Sequence, residues 1–396
     1  MAVAAAPADA SLLRRFGIGD AHCHPQDDGD DCARRLLALS APHVAVMGTR
    51  LGDWADVEAL AQAAPHKVIP CFGVHPWFAH RHALSAAQAA APAALLDAPS
   101  NGRDSAEAHP GLLAALGPGG DMAVAAPEEW VPRLRELLLR HPHALVGEFG
   151  LDRAAVVPGT RLQPGWAHQL ALTEAHLRLA VELGRPVSMH CVQGYGHLQD
   201  MLRRLGPEGC PPKIMLHSYG GSVELVKGFI KMPGGLGERI YFSFSDVING
   251  RKPGQRAKLL ERLAAVPAER LLLESDQNSP AGIDSGLVDI LDAVAEARGV
   301  SVEAAAEAAA ATFRDFFQSC LAAMPTEAAD ASHSSSSSSA GGSASGSSRA
   351  EAAGDLAGSG GAGKGGGVAA ELARQAAVAG KATQAGTGPA GASSQG

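Results

Sequence analysis

The sequence predicts a (β/α)8 TIM barrel with an additional C-terminal helix and a disordered tail. Three observations carry this. Short apolar runs alternate eight times with longer stretches of helical period. The alternating body spans residues 17–323 of a 396-residue chain, enough for one barrel of about 250 residues plus an insertion. Residues able to bind metal or phosphate recur at the ends of the predicted strands, where such a barrel builds its site.

The predicted strands, in order, are "GIGDAH", "HVAVMG", "KVIPCFGV", "ALVGEFG", "PVSMH", "KIMLHS", "RIYFSF" and "RLLLES". Between them lie segments of period 3.6 such as "CARRLLALS", "WADVEALAQAA", "EEWVPRLRELLLRH", "GWAHQLALTEAHLRLAVELG" and "GQRAKLLERLAAV". The Ala-rich "SVEAAAEAAAATFRDFFQSCL" reads as the extra C-terminal helix. A doubly wound open sheet is the competing architecture. Residues 1–16 read as an N-terminal extension. Residues 85–127 are of low complexity and read as a surface insertion with one weak helix. Residues 324–396 are rich in Ser, Gly and Ala, and such a tail buries too little apolar surface to offset its ordering entropy.

Composition narrows the function. A net charge of −8 argues against a general basic coat for nucleic acid, although bound cations could supply positive charge locally. The six cysteines include no CxxC pair, which reads as reduced intracellular thiols. No apolar run reaches about 18 residues, so no membrane association is expected. The expected location is cytoplasmic or nuclear. An Ala-rich start with Arg14 and Arg15 leaves an organellar transit peptide as the alternative.

The chemistry clusters by strand. Strand 1 ends in Asp20, His22 and His24, and strand 3 in His75. Strand 4 ends in Glu148, followed by Asp152. Strands 5, 6 and 8 end in His190, His217 and Asp276. Simple alternation puts Asp20, His22 and His24 on one face and turns Cys23 to the other. It likewise pairs Glu274 with Asp276. Taken singly, each residue has an ordinary explanation as a polar strand end or a satisfied core histidine. Their joint placement points to a metal site. The mixed N/O donor set suits Zn or Mn and tolerates Mg. It is large enough for two divalent ions about 3.5–4 Å apart, bridged by Glu148 on the middle strand. Such a pair serves hydrolysis of phosphoesters, amides or lactones.

At these residues the chain resembles a known family. "DAHCHP", "GVHPW", "GEFGLD", "MHCVQ", "LHSYGGS" and "LLLESD" are similar, in order, to the signatures of the TatD-related metal-dependent nucleases, in a form closer to the eukaryotic branch. The resemblance implies an amidohydrolase-like barrel and divalent-metal hydrolysis of phosphodiesters, commonly as a deoxyribonuclease working from the 3′ end. DNA or RNA ends would be the substrate. Carried over position by position, His22, His24 and Asp276 would hold one ion and His190 and His217 the other. Glu148 would bridge them, His75 would face the substrate phosphate, and Asp276 would orient or deprotonate the attacking water. Asp20 reads as an orienter of an imidazole. Three departures stand out: Val192 replaces a usual arginine, Ser275 a usual threonine, and Tyr219-Gly220-Gly221 a usual aromatic-Thr-Gly. Two further readings compete: an amide or lactone hydrolase of the same barrel class, and a scaffold that keeps the barrel without turnover. Glu148 stands where many such amide hydrolases carry a carbamylated lysine, which favours the phosphodiesterase.

Overall fold

The computed structural model describes residues 9–325 apart from 30, 100, 101 and 253. Residues 1–8 and nearly all of the Ser/Gly/Ala-rich tail therefore lie outside the described residues. Eight strands form one parallel sheet in sequential order. They are β1 Asp20–Cys23, β2 Val44–Met47, β3 Val68–Phe72, β4 Leu145–Asp152, β5 Val187–Val192, β6 Ile214–Leu216, β7 Ile240–Phe244 and β8 Leu271–Leu273. At the C-terminal end, β8 returns to β1 through backbone bonds from Asp276 to His22 and from His24 to Gln277. These bonds decide for a nearly closed barrel over an open sheet.

Period-2 alternation sorts the apolar side chains into two cores. Outward-facing Val44, Val46, Val146 and Phe149 meet the surrounding helices. Inward-facing Ala45, Met47, Ile69, Cys71 and Met215 fill the N-terminal half of the barrel. That half is plugged from below by Phe313, Phe316 and Phe317, where helix Val302–Phe316 gives way to Gln318–Ala323. The extra C-terminal helix is thus the barrel's floor, and each buried phenyl ring there is worth about 3–5 kcal/mol against alanine. The plug also explains Gly19, because a Cβ at that position would stand 2.2 Å from the Phe313 ring.

Two segments differ from the sequence expectation. Residues 11–16, read as part of an extension, form a helix whose Leu13 is fully buried. The insertion holds two α-helices, Ala86–Ala90 and Pro110–Leu116, rather than one. It is tied to the β4–helix connection by pairing of Leu96–Asp97 with Gln163–Pro164 and by a small core of Ala106, Val157 and Leu162. Asp97 and Asp104 also accept the backbone N–H groups of Trp166 and Arg161. These partners lie 69 and 57 residues away in sequence, so composition alone could not reveal them.

Candidate metal centre

Two β-bulges aim the central side chains. Between Asp20 and Cys23 the β1–β2 register advances three residues against two, and the same happens between Val146 and Phe149 on β4. Each extra residue reverses the inside–outside order beyond it. Ala21 therefore belongs to the inner core while Cys23, two residues on, belongs to the outer one. On β4 the bulge leaves Glu148 inside between outward-facing Val146 and Phe149. A close approach of β4 to β5 is also required here. A Cβ at Gly150, whose φ is +151°, would lie 1.9 Å from the His190 carbonyl oxygen.

The structure brings His22, His24, His75, His190, His217, Glu148 and Asp276 to one place. Only His22, Glu148 and His190 sit on strands; the others follow a strand end. Glu148 is the hub. Its Oε2 lies 3.3 Å from both His22 Nε2 and His24 Nε2. Its Oε1 lies 2.7 Å from His217 Nε2, 3.0 Å from His190 Nδ1 and 3.3 Å from His75 Nε2. Asp276 Oδ1 joins the first group, 3.6 Å from His24 Nε2 and 4.0 Å from His22 Nε2. Glu274 and Asp276 lie beyond β8, which ends at Leu273; both face the Ser218 hydroxyl, and Asp276 has turned into a left-handed conformation at φ 50°. Gln193 and Ser218, beside His190 and His217, are also left-handed. Such strain in non-glycine residues concentrates at functional sites.

What holds each ring decides which nitrogen it presents. His24 Nδ1 donates to the Met47 carbonyl at 3.2 Å, which turns Nε2 to the centre. His190 Nε2 faces Asp152 Oδ2 at 3.3 Å, leaving Nδ1. His217 Nδ1 looks at Glu274 across 3.8 Å, and His22 Nδ1 meets Ser188 Oγ at 3.0 Å. His75 is the exception. Its Nδ1 accepts the Trp77 backbone N–H, and burial lowers its pKa to about 4. A neutral ring that accepts at Nδ1 must carry its proton on Nε2. The fifth ring thus turns an N–H toward Glu148; against the cost of burial, neighbouring carboxylates raise the pKa of His24 to about 9 and raise those of His190 and His217.

Sequence reading missed Asp152, Ser188 and Glu274 as the groups that hold these rings. Asp152 stood in view at the end of "GEFGLD", but its partner is 38 residues on. The Asp20 expectation is corrected. Its carboxylate takes the backbone N–H of His22 and both the N–H and hydroxyl of Ser275, and no imidazole. It ties β1 to the segment after β8, and burial raises its pKa to about 7 against those three bonds. Burial opposes the charged form of Glu148 as well, yet the surrounding imidazoles hold its carboxyl well below the usual range. Cys23, by contrast, is outside the barrel with its thiol on the Ala45 carbonyl. Cys23→Ser is accordingly expected to leave bound-metal stoichiometry unchanged. Loss of metal in that variant, measured by elemental analysis, would show the strand to be differently registered.

The donor set fits divalent cations. The imidazole nitrogens of His22 and His24 lie 3.2 Å apart and those of His190 and His217 3.1 Å apart, so two nitrogen donors converge on each side of Glu148. Three overlapping groups have donor atoms within 4.8 Å of one another: His22, His24 and Glu148; His22, His217 and Asp276; and His75, Glu148 and His190. Above them opens a cavity of about 800 Å³. Among the described residues no helix is long and apolar enough to cross a membrane.

Known proteins share this arrangement's fold and sequence. The family model described as TatD related DNase matches residues 19–318. The Cut9-interacting protein scn1 of Schizosaccharomyces pombe is 33% identical over 72% of this chain and 94% of its own length. The 3′-5′ ssDNA/RNA exonuclease TatD of Edwardsiella piscicida is 28% identical over 58% of this chain and 66% of its own. A TatD homolog from Escherichia coli K12 superposes with a TM-score of 0.51 at 18% identity, over 78% of this chain and 99% of that one, which speaks for the fold alone. From the match across nearly the whole barrel and the relative at one-third identity, the chain belongs to the TatD-related family of hydrolases acting on ester bonds.

Proposed function

We propose that the protein is a phosphodiesterase that uses two divalent ions, Mg, Mn or Zn, to cleave nucleic-acid ends. The observation that carries this reading is the division of Glu148. One carboxylate oxygen serves His22 and His24, and the other serves His190 and His217. A single ion would not call for donors on both sides of one carboxylate. In this reading His22, His24 and Asp276 hold one ion, His190 and His217 the other, and Glu148 bridges. Bound there, the cations supply charge stabilisation at the phosphoryl oxygens and a lowered pKa for the attacking water.

The protein's own groups do the rest. In this reading the His75 Nε2–H, which faces Glu148 and His190, would donate to a phosphoryl oxygen. Asp276 offers Oδ1 to the His22 and His24 side, while its Oδ2 lies 3.2 Å from the Ser218 hydroxyl, whose shorter bond is to Glu274. A carboxylate there can orient the attacking water and accept its proton. Asp276→Asn is expected to lower kcat by about 10²-fold, the lower end for a general base. The decisive assay measures metal content alongside cleavage of labelled single-stranded DNA and RNA. Metal-loaded protein that cleaves neither would overturn the proposal. The relatives named as exonucleases support a nucleic-acid substrate, and an amide or lactone substrate would be revealed by turnover on a small-ester and lactam panel.

A further inference from the structure

The cavity above the centre has one wall that the metal chemistry does not use. It is formed by the segment after β7, helix Asp246–Asn249 and helix Gln255–Ala265. This stretch carries five cationic side chains. Arg256 is tied back to Asp246 and Glu296. Arg262 is spent on the carbonyls of Gly220 and Gly221, buttressing the loop beside His217. Arg251 is absent from the cavity lining. Lys252 and Lys258 do line the cavity, and neither has an ion pair or hydrogen bond among the described residues. Lys258 shares a helix face with Gln255 and Arg262, at spacings of three and four, while Leu259 and Leu263 bury the opposite side. Its orientation into the cavity is therefore set by the helix and is not a chance rotamer.

The opposite wall is aromatic. Trp77 and Phe78 follow β3 and line the same cavity. In an eight-strand ring β3 and β7 stand across from each other, so lysines face aromatic rings over the metal centre. The floor between them carries carboxylates, including Glu148, Asp152 and Asp276. A ligand with one phosphodiester at the floor leaves the lysine wall without a partner. A strand whose next phosphates run past the floor provides one, and its bases can lie toward the aromatic side.

We infer that Lys252 and Lys258 hold the phosphates beyond the scissile one, so that this wall sets how steeply cleavage depends on the length of the strand. This rests on the phosphodiesterase reading above. The test compares the metal-loaded full chain with a Lys252→Gln/Lys258→Gln double variant. The substrates are bis(p-nitrophenyl) phosphate and single-stranded DNA of two, four and ten nucleotides. For the wild type kcat/KM should rise with length. The double variant should lose about tenfold or more on the ten-mer, mainly in KM, and keep the small-ester rate. The slope of log(kcat/KM) against log salt on the ten-mer should flatten by about 1.4, roughly 0.7 for each phosphate no longer neutralised by a lysine. Equal activity of the two proteins at every length, or an equal loss on the small ester, overturns the lysine assignment alone. Cleavage of no substrate by the wild type overturns the phosphodiesterase reading and the assignment with it.

Discussion

Glu148→Gln is expected to reduce bound metal, from the two ions proposed above to one or none, and to lower kcat/KM by about 10³-fold or more. That loss corresponds to about 4 kcal/mol of transition-state stabilisation. The reason is the geometry of the hub. Glutamine keeps the volume but replaces one of two acceptor oxygens with an NH2 donor. The charge is lost on both sides, and whichever way the amide turns one set of imidazoles faces an NH2: His22 and His24 at the Oε2 position, or His190 and His217 at the Oε1 position. The fold should survive, because β4 is held by backbone pairing on both sides and by the outward-facing Val146 and Phe149. Metal analysis, circular dichroism and oligonucleotide cleavage on the same sample check this. Two ions and full activity in a folded Glu148→Gln protein would remove the bridge from the mechanism. Cys23→Ser is the companion control, since it alters a nearer neighbour of His22 without touching the centre.

The second large effect is on stability in acid, and it arises away from the site. Burial lowers the pKa of His80 and His82 to about 3 and that of His176 to about 4. The neutral state is built into their contacts. His82 Nε2 accepts the Leu51 backbone N–H while its Nδ1 donates to the Phe78 carbonyl. The His176 ring is stacked between Trp130 and Phe149, with Nε2 facing no partner. Unfolded, these imidazoles titrate near 6.5. Below that pH the unfolded chain takes up protons that the native state refuses, so stability falls as pH drops from about 6.5 toward 4. Each such group costs about 1.4 kcal/mol per pH unit, and three together about 4 kcal/mol per unit. Against a total stability of about 5–15 kcal/mol, acid unfolding is expected near pH 5. Urea midpoints measured from pH 7.5 to 5 should fall steadily, and His176→Phe should reduce proton uptake on unfolding by about one. A midpoint that stays flat over that range would contradict this account.

Much of the architecture can be read without coordinates because its signals are local. Runs such as "HVAVMG" and "RIYFSF" alternate with helical stretches, and each contains one strand. Period 2 also sets Cys23 opposite His22 and His24, although it would put Ala21 with Cys23, and the strand ends carrying His22, Glu148, His190 and Asp276 are visible as residue types in order. The two bulges are not visible. A bulge is a mismatch between two strands, and β1 shows its extra residue only against β2, as β4 does against β5. For the same reason the Asp20 expectation failed, since its true partner, Ser275, is 255 residues away.

By itself, then, the sequence determined the order of strands and helices and the kinds of side chain at the mouth of the barrel, because both follow from residue chemistry and short-range period. The tertiary structure alone decided which nitrogen of each imidazole faces Glu148, since that depends on Met47, Asp152, Ser188 and Glu274 arriving from other strands. It also decided that His75 presents a proton on Nε2, and that Lys252 and Lys258 line the same cavity as Trp77. These are long-range relations. They exist only once the barrel closes and places distant strand ends within a few ångströms of one another.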